Sequence, residues 1–223
     1  MNIKPLAPVW LFDLDNTLHN ASHAIFPAMV LKMNAYMARV LGDGVTPASA
    51  EEISATRARY WKRYGATLLG LVRHHGVDAA HFLRETHDLP ELEAMIRHER
   101  GLGQLLRRLP GRKILLTNAP REYARKVVGH MGIGRHFDGQ VTIESMWVHR
   151  RLRPKPSRVM LRRLMRREGM DPRRCILVED TLENLRSAHA LGMRTVWVTQ
   201  YLPNPGKKPA WLDVKVKSVK KLK

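Results

Sequence analysis

The chain has 223 residues, 44% apolar and 26% charged, so it can bury a substantial core and is too apolar for disorder to be its main state. No uninterrupted apolar stretch approaches the ~20 residues that cross a bilayer, so no membrane partner is expected. The net charge of +19 is patchy: residues 150–174 hold 11 basic and 2 acidic residues, and residues 207–223 hold 7 and 1.

The opening residues Met1-Asn2-Ile3-Lys4-Pro5 lack the apolar core of a secretion signal, and the single cysteine, Cys175, rules out an internal disulfide. The cytoplasm is therefore the expected location. Val9-Trp10-Leu11-Phe12 then forms a short apolar run that stops at Asp13-Leu14-Asp15-Asn16-Thr17-Leu18. Such a run reads as a buried parallel strand. Two carboxylates two positions apart just beyond it can share a cation, although Asp15-Asn16-Thr17 alone is equally a polar turn.

From about residue 19 to 103 the pattern is helical, with apolar positions such as Met29, Met33, Tyr36, Met37 and Val40 and no convincing strand. Within it, Arg59-Tyr60-Trp61-Lys62-Arg63-Tyr64-Gly65 mixes aromatics and cations; a Tyr/Trp stripe at helical spacing is read first as core packing. His74-His75 and the pair His19 and His23 lack an HExxH pattern or a cysteine partner, so no zinc site is expected.

Strand and helix then alternate. Lys113-Ile114-Leu115-Leu116 stops at Thr117-Asn118, Cys175-Ile176-Leu177-Val178 stops at Glu179-Asp180, and Thr195-Val196-Trp197-Val198 follows Gly192. Helices are expected at about 120–130, 156–168 and 181–191, and Val214–Val216 could add an edge strand. In the second of these helices the 3.6-residue period puts Arg162, Arg163, Arg166 and Arg167 on one side and Met160, Leu161, Leu164 and Met165 on the other. That is the pattern of a solvated surface helix. Cys175, at the start of an apolar run, is read as a small core residue.

The fold class these elements predict is α/β: a doubly wound, Rossmann-like parallel sheet core with an inserted all-helical cap. The core would comprise residues 1–18 and 104–223 and the cap residues 19–103. Ligands of open α/β sheets bind at the carboxyl ends of the strands, where a cap would cover them. An acid pair, a Ser/Thr donor, a lysine (Lys155) and a second acid pair occur in that order, three of them directly after apolar strands. Together they form a minimal set for moving a phosphoryl group with a divalent ion.

With those residues the chain resembles the haloacid dehalogenase-like hydrolase superfamily, whose four motifs look like Asp13-Leu14-Asp15-Asn16-Thr17, Thr117-Asn118, Lys155 and Glu179-Asp180. The dehalogenating branch lacks the second aspartate of the first motif, and this chain has Asp15. The resemblance implies an Mg²⁺-dependent phosphatase. Asp13 would attack phosphorus and form an aspartyl-phosphate, and Asp15 would give a proton to the leaving alkoxide and take one from water. Mg²⁺ would be held by the Asp13 side chain, the Asp15 backbone carbonyl and the Asp180 side chain, with Glu179 as an outer acceptor. Thr117 and the Asn118 backbone would hold phosphate oxygens, and Lys155 would bridge nucleophile and phosphate.

The passage Arg59 to Leu71 with Val72-Arg73-His74-His75-Gly76-Val77-Asp78, the Leu18-His19 after the first motif, and Thr117-Asn118-Ala119 look like the pyrimidine 5′-nucleotidase subgroup. That resemblance implies a small phosphate monoester as partner, UMP- or CMP-like. A sugar-phosphate or phosphoglycolate phosphatase or phosphomutase is the nearest alternative. The alternative of another class is a basic nucleic-acid-binding protein with an idle site. Because aromatics do not interleave with the two basic clusters, nucleic acid is not the expected partner. No motif specifies an oligomeric state.

Overall fold

The computed structural model describes residues 7–222, so the reading of Met1–Pro5 and the final lysine of the basic tail lie outside the described residues. Numbered in chain order, β1 (Val9–Phe12) is followed by α1 (Ile25–Leu41), α2 (Ala50–Tyr64), α3 (Thr67–His75), α4 (Ala79–His87), α5 (Leu92–Met95) and α6 (Leu102–Arg108). The alternating part follows as β2 (Arg112–Leu116), α7 (Arg121–His130), β3 (Gly139–Val141), β4 (Trp147–Val148), β5 (Arg151–Leu152), α8 (Arg158–Arg167), β6 (Cys175–Glu179), α9 (Leu182–His189), β7 (Arg194–Val198) and β8 (Val214–Val216).

Six strands form one sheet in the order β3-β2-β1-β6-β7-β8, with every pairing parallel. The order reverses direction at β1, which pairs with both β2 and β6, so the switch point of the doubly wound sheet lies where Asp13 leaves β1. All residues of β1 and β6 are buried, as expected of central strands covered on both faces. At the outer edge the Asp213 carboxylate accepts from both the Thr195 backbone N–H (2.8 Å) and its hydroxyl (2.7 Å), holding the segment before β8 against β7. Gly111, just before β2, takes φ 84°, and a Cβ there would lie 2.1 Å from the Pro8 carbonyl oxygen. Only glycine lets the two strand starts approach this closely.

Three strands were not visible in the sequence pattern. β3 is a three-residue edge, Gly-Gln-Val, with no apolar run, and β4 and β5 form a two-residue antiparallel hairpin. Around the sheet, α8 starts at Ser157, whose hydroxyl accepts from the Met160 N–H at 3.3 Å, and buries Met160, Leu161, Leu164 and Met165 while its arginines stay exposed. Cys175 is fully buried, and burial pushes its thiol up to about 11, consistent with a packing role.

The chain divides into two compact units, one running through Ser22 and resuming at Ile96, the other spanning His23–Met95. These limits differ from the 19–103 expected for the insertion. Residues 19–22 stay with the sheet because the Asn20 N–H donates to the Arg97 carbonyl at 2.7 Å and the Asn16 amide exchanges two hydrogen bonds with Ser22. On the returning side, α6 buries Leu102, Leu105 and Leu106 and belongs to the sheet unit.

In the 23–95 unit the elements are helices only, among the described residues. Ser49 caps α2 and Asp78 caps α4 through their side-chain oxygens. Tyr60 is buried and packs on Gly70, where a Cβ would sit 2.2 Å from the ring. The aromatic stripe is thus only partly core: Trp61, one position on, is 67% exposed. No helix of the described residues is long and apolar enough to cross a membrane.

Candidate active site

Each strand that borders the switch point hands one group to the same rim. The Asp13 N–H donates to the Val178 carbonyl (2.9 Å) and the Thr117 N–H to the Val141 carbonyl (3.0 Å), so both residues extend their strands by one step before the chain turns away. After Asp13 the chain turns through Asn16, which takes a left-handed conformation at φ 58°. Asn tolerates this because its short amide bonds locally, here to Ser22. The turn brings the Thr17 hydroxyl back to donate to Asp13 Oδ2 at 2.9 Å.

Lys155 arrives from the loop before α8 and is buried. Its Nζ donates to Asp13 Oδ1 at 2.6 Å and to Glu179 Oε2 at 2.7 Å. The Asn118 side chain holds this lysine by its backbone, its amide oxygen accepting from the Lys155 N–H (2.9 Å) and its amide nitrogen donating to the Lys155 carbonyl (3.1 Å). This fixing role of the Asn118 side chain was not visible from sequence, because 37 residues separate the partners. Thr117 is buried at the end of β2, and its hydroxyl accepts from the Ala119 N–H at 3.0 Å.

Asp13, Glu179 and Asp180 each offer a carboxylate oxygen, and these oxygens lie within 4.8 Å of one another. The Trp197 indole N–H donates to the Asp180 carbonyl (2.8 Å) and the Thr181 hydroxyl to its side chain (3.0 Å), which fixes the turn that presents it. Glu179 already takes the Lys155 ammonium on one oxygen and the Thr181 N–H (3.3 Å) on the other. Three carboxylates facing one ammonium leave two negative charges in a buried place. The charges respond accordingly. Burial, then the Glu179 charge, pushes the Asp13 carboxyl up to about 7; burial does the same to Glu179, up to about 7, and to Asp180, up to about 6. Burial works against the Lys155 charge, yet Asp13 and Glu179 together hold its ammonium above the ordinary range. Hard oxygen donors with excess negative charge suit a divalent cation of the Mg²⁺ type.

Asp15 takes a different direction from Asp13. Its Oδ1 accepts from the Tyr123 hydroxyl at 2.6 Å and lies 2.8 Å from His19 Nε2. The structure therefore brings Asp13, Lys155, Glu179 and Asp180 into direct association, while the Asp15 side chain bonds to α7 and to its own loop. Tyr123 and His19 were not singled out as site residues in the sequence. A tyrosine in a helix 108 residues from Asp15 carries no local signal.

A sequence model of the haloacid dehalogenase-like hydrolases matches residues 9–192. Among solved structures, the chain is similar to a HAD phosphatase from Thermococcus onnurineus, with a TM-score of 0.66 at 18% identity over 96% of this chain and 95% of that one. It is also similar to CbbY from Rhodobacter sphaeroides in complex with phosphate, with a TM-score of 0.64 at 20% identity over 96% and 95% of the two chains. A 2-haloacid dehalogenase from Pseudomonas syringae aligns with a TM-score of 0.59 at 17% identity, again over 96% and 95%. At such identities these likenesses speak for the fold, whereas the family match covers most of the chain and includes Asp13, Asp15, Thr117, Asn118, Lys155, Glu179 and Asp180. The chain belongs to the haloacid dehalogenase-like hydrolases.

Proposed function

We propose that this hydrolase is an Mg²⁺-dependent phosphatase that cleaves a small phosphate monoester, a pyrimidine nucleoside 5′-monophosphate, through an aspartyl-phosphate on Asp13. The observation that carries this reading is the buried Asp13–Lys155–Glu179 linkage beside Asp180. A lysine bound to the nucleophile at 2.6 Å is placed to follow the negative charge as it moves from Asp13 onto the phosphoryl oxygens.

The Asp13 and Asp180 side chains and the Asp15 backbone carbonyl would hold Mg²⁺, which when bound supplies positive charge against the phosphate and relieves the excess negative charge of the cluster. Asp13 forms a bond to phosphorus as the ester P–O bond breaks. Asp15 delivers a proton to the departing alkoxide and, in the second half, removes one from the water that releases phosphate. Thr117 and the backbone at Asn118, at the end of β2 beside β1, bind phosphate oxygens. Glu179 orients Lys155.

The contrast with carbon–halogen hydrolysis is chemical. Halide leaves as a stable anion and needs no proton, whereas an alkoxide does, and Asp15 is the group that meets this need. The choice of base rests on the likeness of the Arg59–Leu71 passage and its neighbours to pyrimidine 5′-nucleotidases. The test is phosphate release from a panel of nucleoside monophosphates, sugar phosphates and phosphoglycolate, with and without Mg²⁺. Mg²⁺-dependent release that favours UMP and CMP is the expected result. A preference for sugar phosphates would overturn the subgroup, and no release from any monoester would overturn the phosphatase.

A further inference from the structure

Asp15 has to be held in one rotamer to serve two proton transfers, and two buried side chains reach it. Tyr123 lies in the first turn of α7, 2% exposed, and its hydroxyl donates to Asp15 Oδ1 at 2.6 Å. His19 is fully buried four residues beyond Asp15, with its Nε2 2.8 Å from the same oxygen.

The burial of His19 decides its tautomer. Nδ1 is buried and has no hydrogen-bond partner among the described residues. If the proton sat on Nδ1, a buried N–H would go unpaired; if it sits on Nε2, only an acceptor lone pair goes unpaired, which is the less costly of the two. The ring is then the Nε2–H tautomer and donates to Asp15 Oδ1. The phenol is a donor as well, its hydroxyl pointing at the same oxygen at 2.6 Å. Both donors therefore converge on one oxygen of the carboxyl.

We propose that His19 and Tyr123 are positioning residues for Asp15: they bond to Oδ1 and fix the rotation of the carboxyl group that gives and takes the proton. This rests on the acid–base role assigned to Asp15 above. In the first half-reaction the Asp15 carboxyl proton passes to the ester oxygen as its bond to phosphorus breaks and the Asp13–phosphorus bond forms. In the second, a water proton returns to the Asp15 carboxylate as the water oxygen bonds to phosphorus and the Asp13–phosphorus bond breaks.

The test compares kcat/KM, which reports formation of the aspartyl-phosphate, for an alkyl monoester and for p-nitrophenyl phosphate, whose leaving group needs little protonation. Tyr123→Phe is expected to lower kcat/KM for the alkyl ester about tenfold or more and that for the aryl ester far less, a split that a purely structural role would not produce. His19→Leu should show the same split, and His19→Gln, which keeps an N–H near the position of Nε2, should recover most of the loss. In an Asp15→Asn background neither substitution should cost more. Equal losses on both esters, or additive losses in the Asp15→Asn background, would overturn the proposal. If the wild-type chain turns over no monoester, the phosphatase reading fails by itself, and the imidazole ¹⁵N spectrum still decides this inference: an Nε2–H tautomer at His19 supports it and an Nδ1–H tautomer overturns it.

Discussion

The switch point of the sheet and the outer face of α8 are both crowded with charge, yet they use it in opposite ways. At the switch point Asp13, Lys155 and Glu179 are buried and bonded to one another at 2.6 and 2.7 Å. On α8, Arg162, Arg163, Arg166 and Arg167 all face solvent, and of these only Arg167 has a carboxylate partner among the described residues. A charge in water costs the fold almost nothing and contributes little to it. A charge withdrawn from water persists only where partners compensate it, and such sites are where proton affinities move far from their ordinary values. Net charge therefore says little about what this chain does, whereas burial with pairing points to the chemistry.

The contrast is sharpest for Asp13, the proposed nucleophile. Asp13→Asn should reduce turnover of a monoester roughly 10³-fold or more while leaving the circular dichroism spectrum and the cooperative melt in place. Near-normal phosphate release would remove Asp13 from its role. Lys155→Met should abolish turnover too, but with a structural penalty, because two buried carboxylates lose their common cation. Breaking a buried pair costs about 3–5 kcal/mol, read as a lower midpoint in urea unfolding. An unchanged midpoint would mean that the cluster is better hydrated than its burial indicates.

The third prediction concerns pH. The Asp13 and Glu179 carboxyls are pushed up to about 7 and that of Asp180 to about 6, all above the values of an unfolded chain. Between about pH 4 and pH 7 the folded state then binds more protons than the unfolded one, so without divalent cation these groups make stability fall as pH rises through that window. Mg²⁺ competes with those protons. Its effect on Tm should be several degrees larger at about pH 8 than at about pH 5. A Tm shift independent of pH would separate the cation from these carboxyls. The smallest effect belongs to the helix face: Arg162→Gln, Arg163→Gln and Arg166→Gln together should leave kcat unchanged and shift stability by no more than about 0.5 kcal/mol per site.

Much of the sheet could be read in advance because its central strands are uninterrupted apolar runs that end abruptly in acids or Thr-Asn. β1, β2, β6 and β7 follow those runs to within a residue or so. β3 escaped because an edge strand of Gly-Gln-Val carries neither period nor run, and the β4–β5 hairpin because two-residue strands are below what a pattern can show. The limits of the helical unit moved for a related reason. They are set by individual hydrogen bonds, such as Asn20 to Arg97, and no change in composition marks them. At the site, the acids and the lysine are legible because they stand directly beside strand ends or in order along the chain. The Asn118 side chain and Tyr123 are not, because what matters about them is a contact made only when distant segments meet; His19 stands four residues from Asp15, but only the folded turn shows its ring reaching back to that carboxylate.

The central claim is that a buried aspartate at the end of β1 carries the phosphoryl group. Rapid acid quenching during turnover of a monoester, followed by mass spectrometry of the peptide containing Asp13, tests it most directly. The account predicts one phosphoryl group on Asp13, absent from the Asp13→Asn protein. Sustained phosphate release with Asp13 unmodified at every quench time, or with the phosphoryl group on another residue, would contradict it.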